Sequence, residues 1–491
     1  MNRRDFTKTG SLLGLGLAAG AAAHASPTAT FGAMDNEFYK EAAKKLPVRH
    51  FDVVVTGAGT AGVITAIAAA RQGAKTILVE AKGYPGGTAV EGGTALHSFY
   101  NLWKAFPGVE KKKLVRGIPA EMVDRLTARG GATGYAEMMK HYEYDSVCTA
   151  IDTEMYKLNA FEMLDEAGVY VCVNTLLAGA IVSRGTLTGV ILESRSGREA
   201  IYAKSFVDCT GYGDLAAHAG AEFTEPNDYA VVNSMGLANV DIERYFHFLN
   251  SSDSVGQLAY GPRDGVPGQI IRLGSEGSTG YPDDFVKGAR AIGMSAISTT
   301  VHDDYLMFIK MNLRLPLSPT DRDTVAKAEL ELRKRMQTGV ELFNKYIPGF
   351  ERAFISRTSP NLVIRRGRLI SCDYDISHEE VISGAHFDDD VFAYGFHDNA
   401  PRLQIKDGGS YGLPYRALCV KGLSNLYVSG MMITSDHRAH MSTRNTVSCM
   451  AMGQASGTAS ALCAKGDYDS RSLPYTRLRD ELEKNGVYFE S

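Results

Sequence analysis

The chain of 491 residues is 44% apolar and 22% charged, and its 52 Lys and Arg against 56 Asp and Glu leave a net charge of −4. That length outruns one ordinary core, so two domains, sequential or interleaved, are expected, and the composition is that of a globular protein. The acidic balance argues against a nucleic-acid partner. Seven scattered cysteines without a CxxC pair support neither a zinc site nor a disulfide framework.

Residues 1–25 read as an export signal. Asn2-Arg3-Arg4-Asp5-Phe6-Thr7-Lys8 resembles the twin-arginine consensus, departing from it at Asn2 and Thr7. An apolar Ala/Gly-rich run from Leu12 to Ala23 follows, then a small-residue site, Ala23-His24-Ala25. The run is short for a transmembrane helix, although an uncleaved anchor stays open. Cleavage after Ala25 would remove Arg3, Arg4 and Lys8 together with Asp5, taking the net charge from −4 to −6. The expected destination is the periplasm or the exterior. Residues 26–49 then form a linker, with a short polar helix over Asn36–Lys45.

A first domain is expected over 50–222, and it opens on a fingerprint. A buried strand, Val53–Val55, runs into Thr56-Gly57-Ala58-Gly59-Thr60-Ala61-Gly62, then an Ala-rich helix, then a second apolar strand, Thr76–Val79, ending on Glu80 and Ala81. Glycines at this spacing, after a strand and opening a helix, with an acid about 20 residues on, form the dinucleotide-binding pattern. Gly57 permits the tight turn, Gly59 lets backbone approach a pyrophosphate, and Gly62 lets helix and strand pack closely. The helix N-terminus then faces the phosphates, and Glu80 is placed to accept from a ribose hydroxyl.

Next comes a loop with two Gly-Gly pairs, Gly86-Gly87-Thr88 and Gly92-Gly93, whose backbone is expected to pass close to a flat or charged group. Helices are expected over Lys113–Gly130 and Tyr156–Ala167, strands and a hairpin over Val169–Ser194, and a strand over Ala203–Gly211. Residues 223–399 carry no dinucleotide pattern and are expected to form an inserted α+β substrate (cap) domain, with a long helix over Asp321–Asn344 and β-prone chain over Arg352–Ala393. The first domain resumes over 400–475, and 476–491 form a C-terminal tail.

Asp208-Cys-Thr210-Gly211-Tyr-Gly-Asp214, Tyr411-Gly-Leu-Pro-Tyr-Arg416, the strand of Gly422–Gly430, and Ser442-Thr443-Arg444 leading into Cys449-Met-Ala-Met-Gly453-Gln-Ala-Ser-Gly457 occur in this order. In that order they resemble the FAD-dependent oxidoreductases built on a glutathione-reductase-like FAD fold. The resemblance covers most of the chain, the central third least. It implies an α/β protein, a Rossmann-like FAD/NAD(P)-binding domain carrying the insertion, with FAD as cofactor. It further implies FAD contacts at Gly57, Gly59, Thr60, Ala61, Gly62, Glu80, Ala81, Gly86, Gly87 and Thr88 in the first segment. In later segments it implies Leu177, Thr210, Gly211, Asp214, Gly430, Thr443 and Gly453. For Gly453 and Gly457, plain helix packing is an open alternative.

Only one fingerprint is present, so no separate nicotinamide domain is expected, and electrons would enter and leave through the flavin, with an external carrier or oxygen; export favours a membrane-linked donor or acceptor. Candidate catalytic residues lie between Gly430 and the closing helix. His437 suits general acid–base work because its ordinary pKa lies near neutrality. Arg444 suits a substrate carboxylate or a developing oxyanion, and His440 is a further candidate. Arg365, Arg366 and Arg368 form a second cluster, fit either for an acidic small-molecule substrate or for a solvated strand edge. His97 is considered for covalent flavin attachment. The expected function is a secreted flavin oxidoreductase moving a hydride. A non-redox flavin hydratase or isomerase is the alternative, and a non-catalytic electron-carrying flavoprotein is a third reading.

Overall fold

The computed structural model describes residues 39–92, 95–96, 99–101, 109–137, 147–251, 258–263, 266–273, 281–295, 300–302, 305–313, 318–397, 405–406 and 409–490. The export-signal reading and His97 lie outside these residues. Residues 39–45, expected to be helical, are extended or irregular, and the chain enters its first strand at Val48–His50.

The organising element is a five-stranded parallel sheet. Its strands are β1 (Val53–Thr56), β2 (Thr76–Val79), β3 (Tyr170–Cys172), β4 (Ser205–Asp208) and β5 (Leu426–Val428), in the order β5-β4-β1-β2-β3. Val53 pairs with Ser205 on one side and Thr76 on the other, and Asp208 pairs with Val428. β1 reads Val-Val-Val-Thr because both its faces are covered, which removes any alternation. The ends of the neighbouring strands β1, β4 and β5, at Thr56, Asp208 and Val428, therefore lie side by side.

Helix α1 (Thr60–Arg71) packs on this sheet, buried from Thr60 to Ala69, with Arg71 in its last turn. A four-residue helix, α2 (Thr88–Glu91), follows the glycine loop. From the far end of the chain come α4 (His437–Thr443) and α5 (Thr446–Gly466), with α3 (Arg322–Tyr346) in the insertion. α5 is buried all round from Val447 to Ala464, as a helix without a polar face must be. It lies against α1 at very short range. A Cβ on Gly453 would stand 2.4 Å from Ala61 O, and one on Gly457 2.2 Å from Thr65 O. These two glycines serve helix packing. Among the described residues no helix is long and apolar enough to cross a membrane.

A second apolar core spans Val231 to Ile364. It sits on an antiparallel sheet whose strands Met294–Ser295, Tyr305–Leu313, Val231–Ala238 and Phe354–Thr358 are neighbours in that order, backed by α3. This core ends earlier than the expected boundary at 399, because Ile370, Ile376, Val391, Tyr394 and Phe396 pack into the first core. The expected tail contains a helix, Tyr475–Lys484, whose Leu478 and Leu482 are buried in the first core as well.

Candidate flavin site

The strand ends of the parallel sheet open onto a cavity of about 890 Å³ bounded by both cores. Its near wall is the fingerprint turn. Gly57 has φ +87° and donates its N–H to Val79 O at 2.7 Å, and a Cβ there would stand 2.5 Å from Cys209 O. A Cβ on Gly62 would stand 1.8 Å from Gly57 O, so helix and turn meet only through glycine. Gly59 caps α1 without any side-chain cap bond, leaving first-turn N–H groups for an anion on the cavity side. Glu80 Oε2 accepts from Ala58 N at 2.7 Å and Oε1 from Lys82 N at 2.9 Å. Burial raises its pKa from the ordinary carboxylate value against those two bonds. Glu80 therefore braces the turn, and the remaining lone pairs of its carboxylate are available to a ribose.

The glycine loop folds back on this turn. Gly86 N donates to Ala58 O at 2.8 Å, and a Cβ on Gly87 would stand 2.7 Å from Gly59 Cα. Beside them, buried Asp208 accepts from Thr210 N at 3.0 Å, Thr210 Oγ1 at 2.7 Å and Ala216 N at 2.9 Å. Burial nevertheless pushes its carboxyl up to about 6. Thr210 Oγ1 in turn accepts from Asp214 N at 2.9 Å, which fixes the Thr210–Asp214 turn on the wall.

All the expected cofactor residues face the cavity except Gly62, Gly86, Thr443 and Gly453. Gly62 and Gly86 shape the turns behind the wall. Gly453 packs on Ala61, and buried Thr443 meets Ser435 Oγ through its hydroxyl at 3.4 Å. Sequence reasoning missed two groups. Thr56, at the end of β1, and Ser429, just past β5, both line the cavity, and their buried hydroxyls have no protein partner among the described residues. Their positions at the ends of two strands of the parallel sheet were the signal that could have found them.

The three catalytic candidates separate. Arg444 is on the wall, with Nη2 donating to Tyr229 OH at 3.0 Å and its guanidinium 5.0 Å from that ring's centroid. His437 lies off the wall and half-exposed, its Nδ1 2.8 Å from Asp228 Oδ2. Burial disfavours ionised Asp228, but the His437 bond and the Arg366 guanidinium at 2.7 Å outweigh it and hold the carboxyl below its ordinary range. His440 is wholly buried, with Nε2 3.1 Å from Arg365 O. Burial first, then Arg444, drives its pKa down to about 3, so it stays neutral, and it lies off the cavity wall. In the arginine cluster, Arg366 is spent on Asp228 and Arg368 on Asp214, also at 2.7 Å. Arg365 contributes to the wall. These arginines are internal pairs and wall residues, not a solvated edge.

A parallel sheet with a glycine turn, a braced acid and a polar cavity at its strand ends defines a dinucleotide-binding site. The family model described as FAD dependent oxidoreductase matches residues 52–482. The chain belongs to that family, and its cofactor is FAD. The structure is similar to a geranylgeranyl bacteriochlorophyll reductase-like protein from Thermoplasma acidophilum, at 12% identity and TM-score 0.46, covering 89% of this chain and 83% of that one. It is also similar to the p-nitrophenol 4-monooxygenase of Pseudomonas putida, at 12% identity and TM-score 0.45, covering 90% and 89%. No curated protein matches by sequence.

Proposed function

We propose that this enzyme is an exported dehydrogenase or reductase that moves a hydride between a small, anionic organic substrate and its flavin, with an external electron partner at the membrane. The observation that supports it is the continuity of one cavity from the fingerprint turn to the second core, where Lys310, Arg365 and Arg444 meet its wall. Bound FAD supplies a two-electron carrier at its N5 position. The chain's own groups do the rest. Arg444 and Arg365 hold an anionic group and so orient the reacting carbon. Tyr212, whose hydroxyl accepts from Ile364 N at 3.3 Å, has its pKa pushed up to about 12 by burial and keeps its proton for a substrate oxygen. The second core supplies the opposite wall of the cavity, through Lys310, Glu329 and Leu362.

The test is a visible spectrum of the purified protein, then anaerobic titration with carboxylated compounds and their neutral isosteres. Bleaching by the anions and not the isosteres is expected, and turnover without any acceptor would favour a hydratase or isomerase instead. Export is read from Arg3 and Arg4, and the expected result is that their replacement by Lys retains a folded reporter inside the cell.

A further inference from the structure

The second core grips the flavin half through one short stretch of chain. α2 has four residues, too few to sustain itself, and the carbonyls at its end lack intrahelical partners. Side chains of the second core take them. Arg357 Nη2 donates to Val90 O at 2.5 Å, Ser359 Oγ donates to Glu91 O, and Ser234 Oγ donates to Gly92 O at 3.3 Å. Arg357 Nη1 donates as well to Thr153 Oγ1, at the start of the helix Thr153–Glu166.

The same stretch is held from its other side by α3. Arg333 donates to Thr358 Oγ1 at 2.6 Å, to Ser359 O at 3.3 Å and to Pro360 O at 3.2 Å. Glu329 accepts from Leu362 N and, at 3.2 Å, from Asn233 Nδ2. Lys82, ion-paired with Glu91 of α2, reaches the Asn361 amide oxygen at 2.9 Å when that amide is turned to receive it. Residues 357–362 are thus fastened both to α3 and to α2. They also share a task with α2, since Gly87, Thr88 and Glu91 on one side and Pro360, Asn361 and Leu362 on the other all form wall of the same cavity.

We propose that Arg357, assisted by Ser359, is a positioning residue for FAD: it clamps the α2 segment to the second core and so presets the cofactor wall. This rests on the assignment of FAD to the cavity. With the clamp in place, binding meets an ordered wall. Without it, binding must order the glycine loop and α2 at the moment of association, and affinity falls by that ordering cost. Linkage runs both ways, so bound FAD tightens the clamp and strengthens the attachment of the second core.

The experiment titrates FAD into cofactor-stripped protein, reading flavin fluorescence, for the wild type, R357A, R357K and S359A. The far-UV circular dichroism and melting of each stripped protein are recorded alongside. R357A is expected to raise Kd about tenfold, roughly 1.4 kcal/mol, and to shift the visible circular dichroism of the bound flavin. R357K, which restores one charged donor, is expected to recover part of both, and S359A to show a smaller rise. FAD should raise the melting temperature of the wild type more than that of R357A. A native-like R357A with wild-type Kd and flavin spectrum overturns the proposal. So does a rise in Kd that R357K does not recover and that only follows a loss of stripped-protein stability. If R357A does not fold, wild-type Kd values in both R357K and S359A overturn it. A wild type that takes up no FAD overturns the cofactor assignment itself, a failure distinct from variants that bind FAD like the wild type.

Discussion

Gly59 and Gly62 stand three residues apart in one motif, yet alanine should act on them in opposite ways. At Gly62 the new Cβ would lie 1.8 Å from Gly57 O and 2.9 Å from Gly57 C, backbone atoms that cannot swing aside. The turn must open or α1 must move off it, at a cost of about 3 kcal/mol or more. At Gly59 the only neighbour of the added Cβ within 4 Å among the described residues, the adjoining chain aside, is Cys209 O at 3.9 Å, so the fold loses at most about 1 kcal/mol through a poorer helix cap. That methyl, however, stands on the cavity wall beside the first turn of α1. Gly59→Ala should therefore melt close to the wild type when stripped of FAD, yet bind FAD roughly tenfold or more weakly, a loss of about 1.4 kcal/mol. Gly62→Ala should melt several degrees lower with or without the cofactor. Differential scanning fluorimetry of the stripped proteins and an FAD titration decide it. A Gly62→Ala protein that melts with the wild type, or a Gly59→Ala protein that binds FAD as the wild type does, refutes the reasoning.

Asp208 titrates near 3.8 when exposed and at about 6 in its buried site. The fold thus holds an extra proton between those values, and this group's stabilisation, about 3 kcal/mol, is complete below pH ~4 and lost as pH rises through ~6. Urea melts of stripped Asp208→Asn across that window should show a flatter fall with pH than the wild type. Gly457→Ala should destabilise by about 1–3 kcal/mol through the contact 2.2 Å from Thr65 O, and a melt unchanged from the wild type counts against the helix-packing role. Arg444→Met should weaken substrate bleaching at least tenfold with FAD retained, whereas His437→Ala, off the wall, should change it less than threefold. The reverse order would return His437 to the chemistry.

The parallel sheet and its turn were legible because their requirements are local: Val53–Val55, three glycines and Glu80 lie within thirty residues and each type has one physical use there. The second sheet was not. Val231-Val-Asn-Ser-Met-Gly-Leu-Ala is buried through Leu237, so it shows no alternation, and its partner Tyr305–Leu313 is remote in sequence. The histidines misled for a related reason. The chain order brings His437, His440 and Arg444 close together, but α4 sends His437 to Asp228 and buries His440 against Arg365, leaving only Arg444 on the cavity. The Arg357 bond to Val90 spans 267 positions, and no spacing rule reaches that far.

The edge strand β5 and the helix α5 complete the flavin half from the last seventy residues of the chain, and Lys465 Nζ reaches Gln72 O across 393 positions. During synthesis the fingerprint turn emerges early, but α1 has no partner helix and the sheet no edge until the whole second core has been made. Such long-range closure is slow, and it leaves the Ala-rich face of α1 in need of protection while translation continues. Cofactor capture is therefore a late event in the life of this chain. Any transport step that demands a loaded flavoprotein must wait for the end of translation.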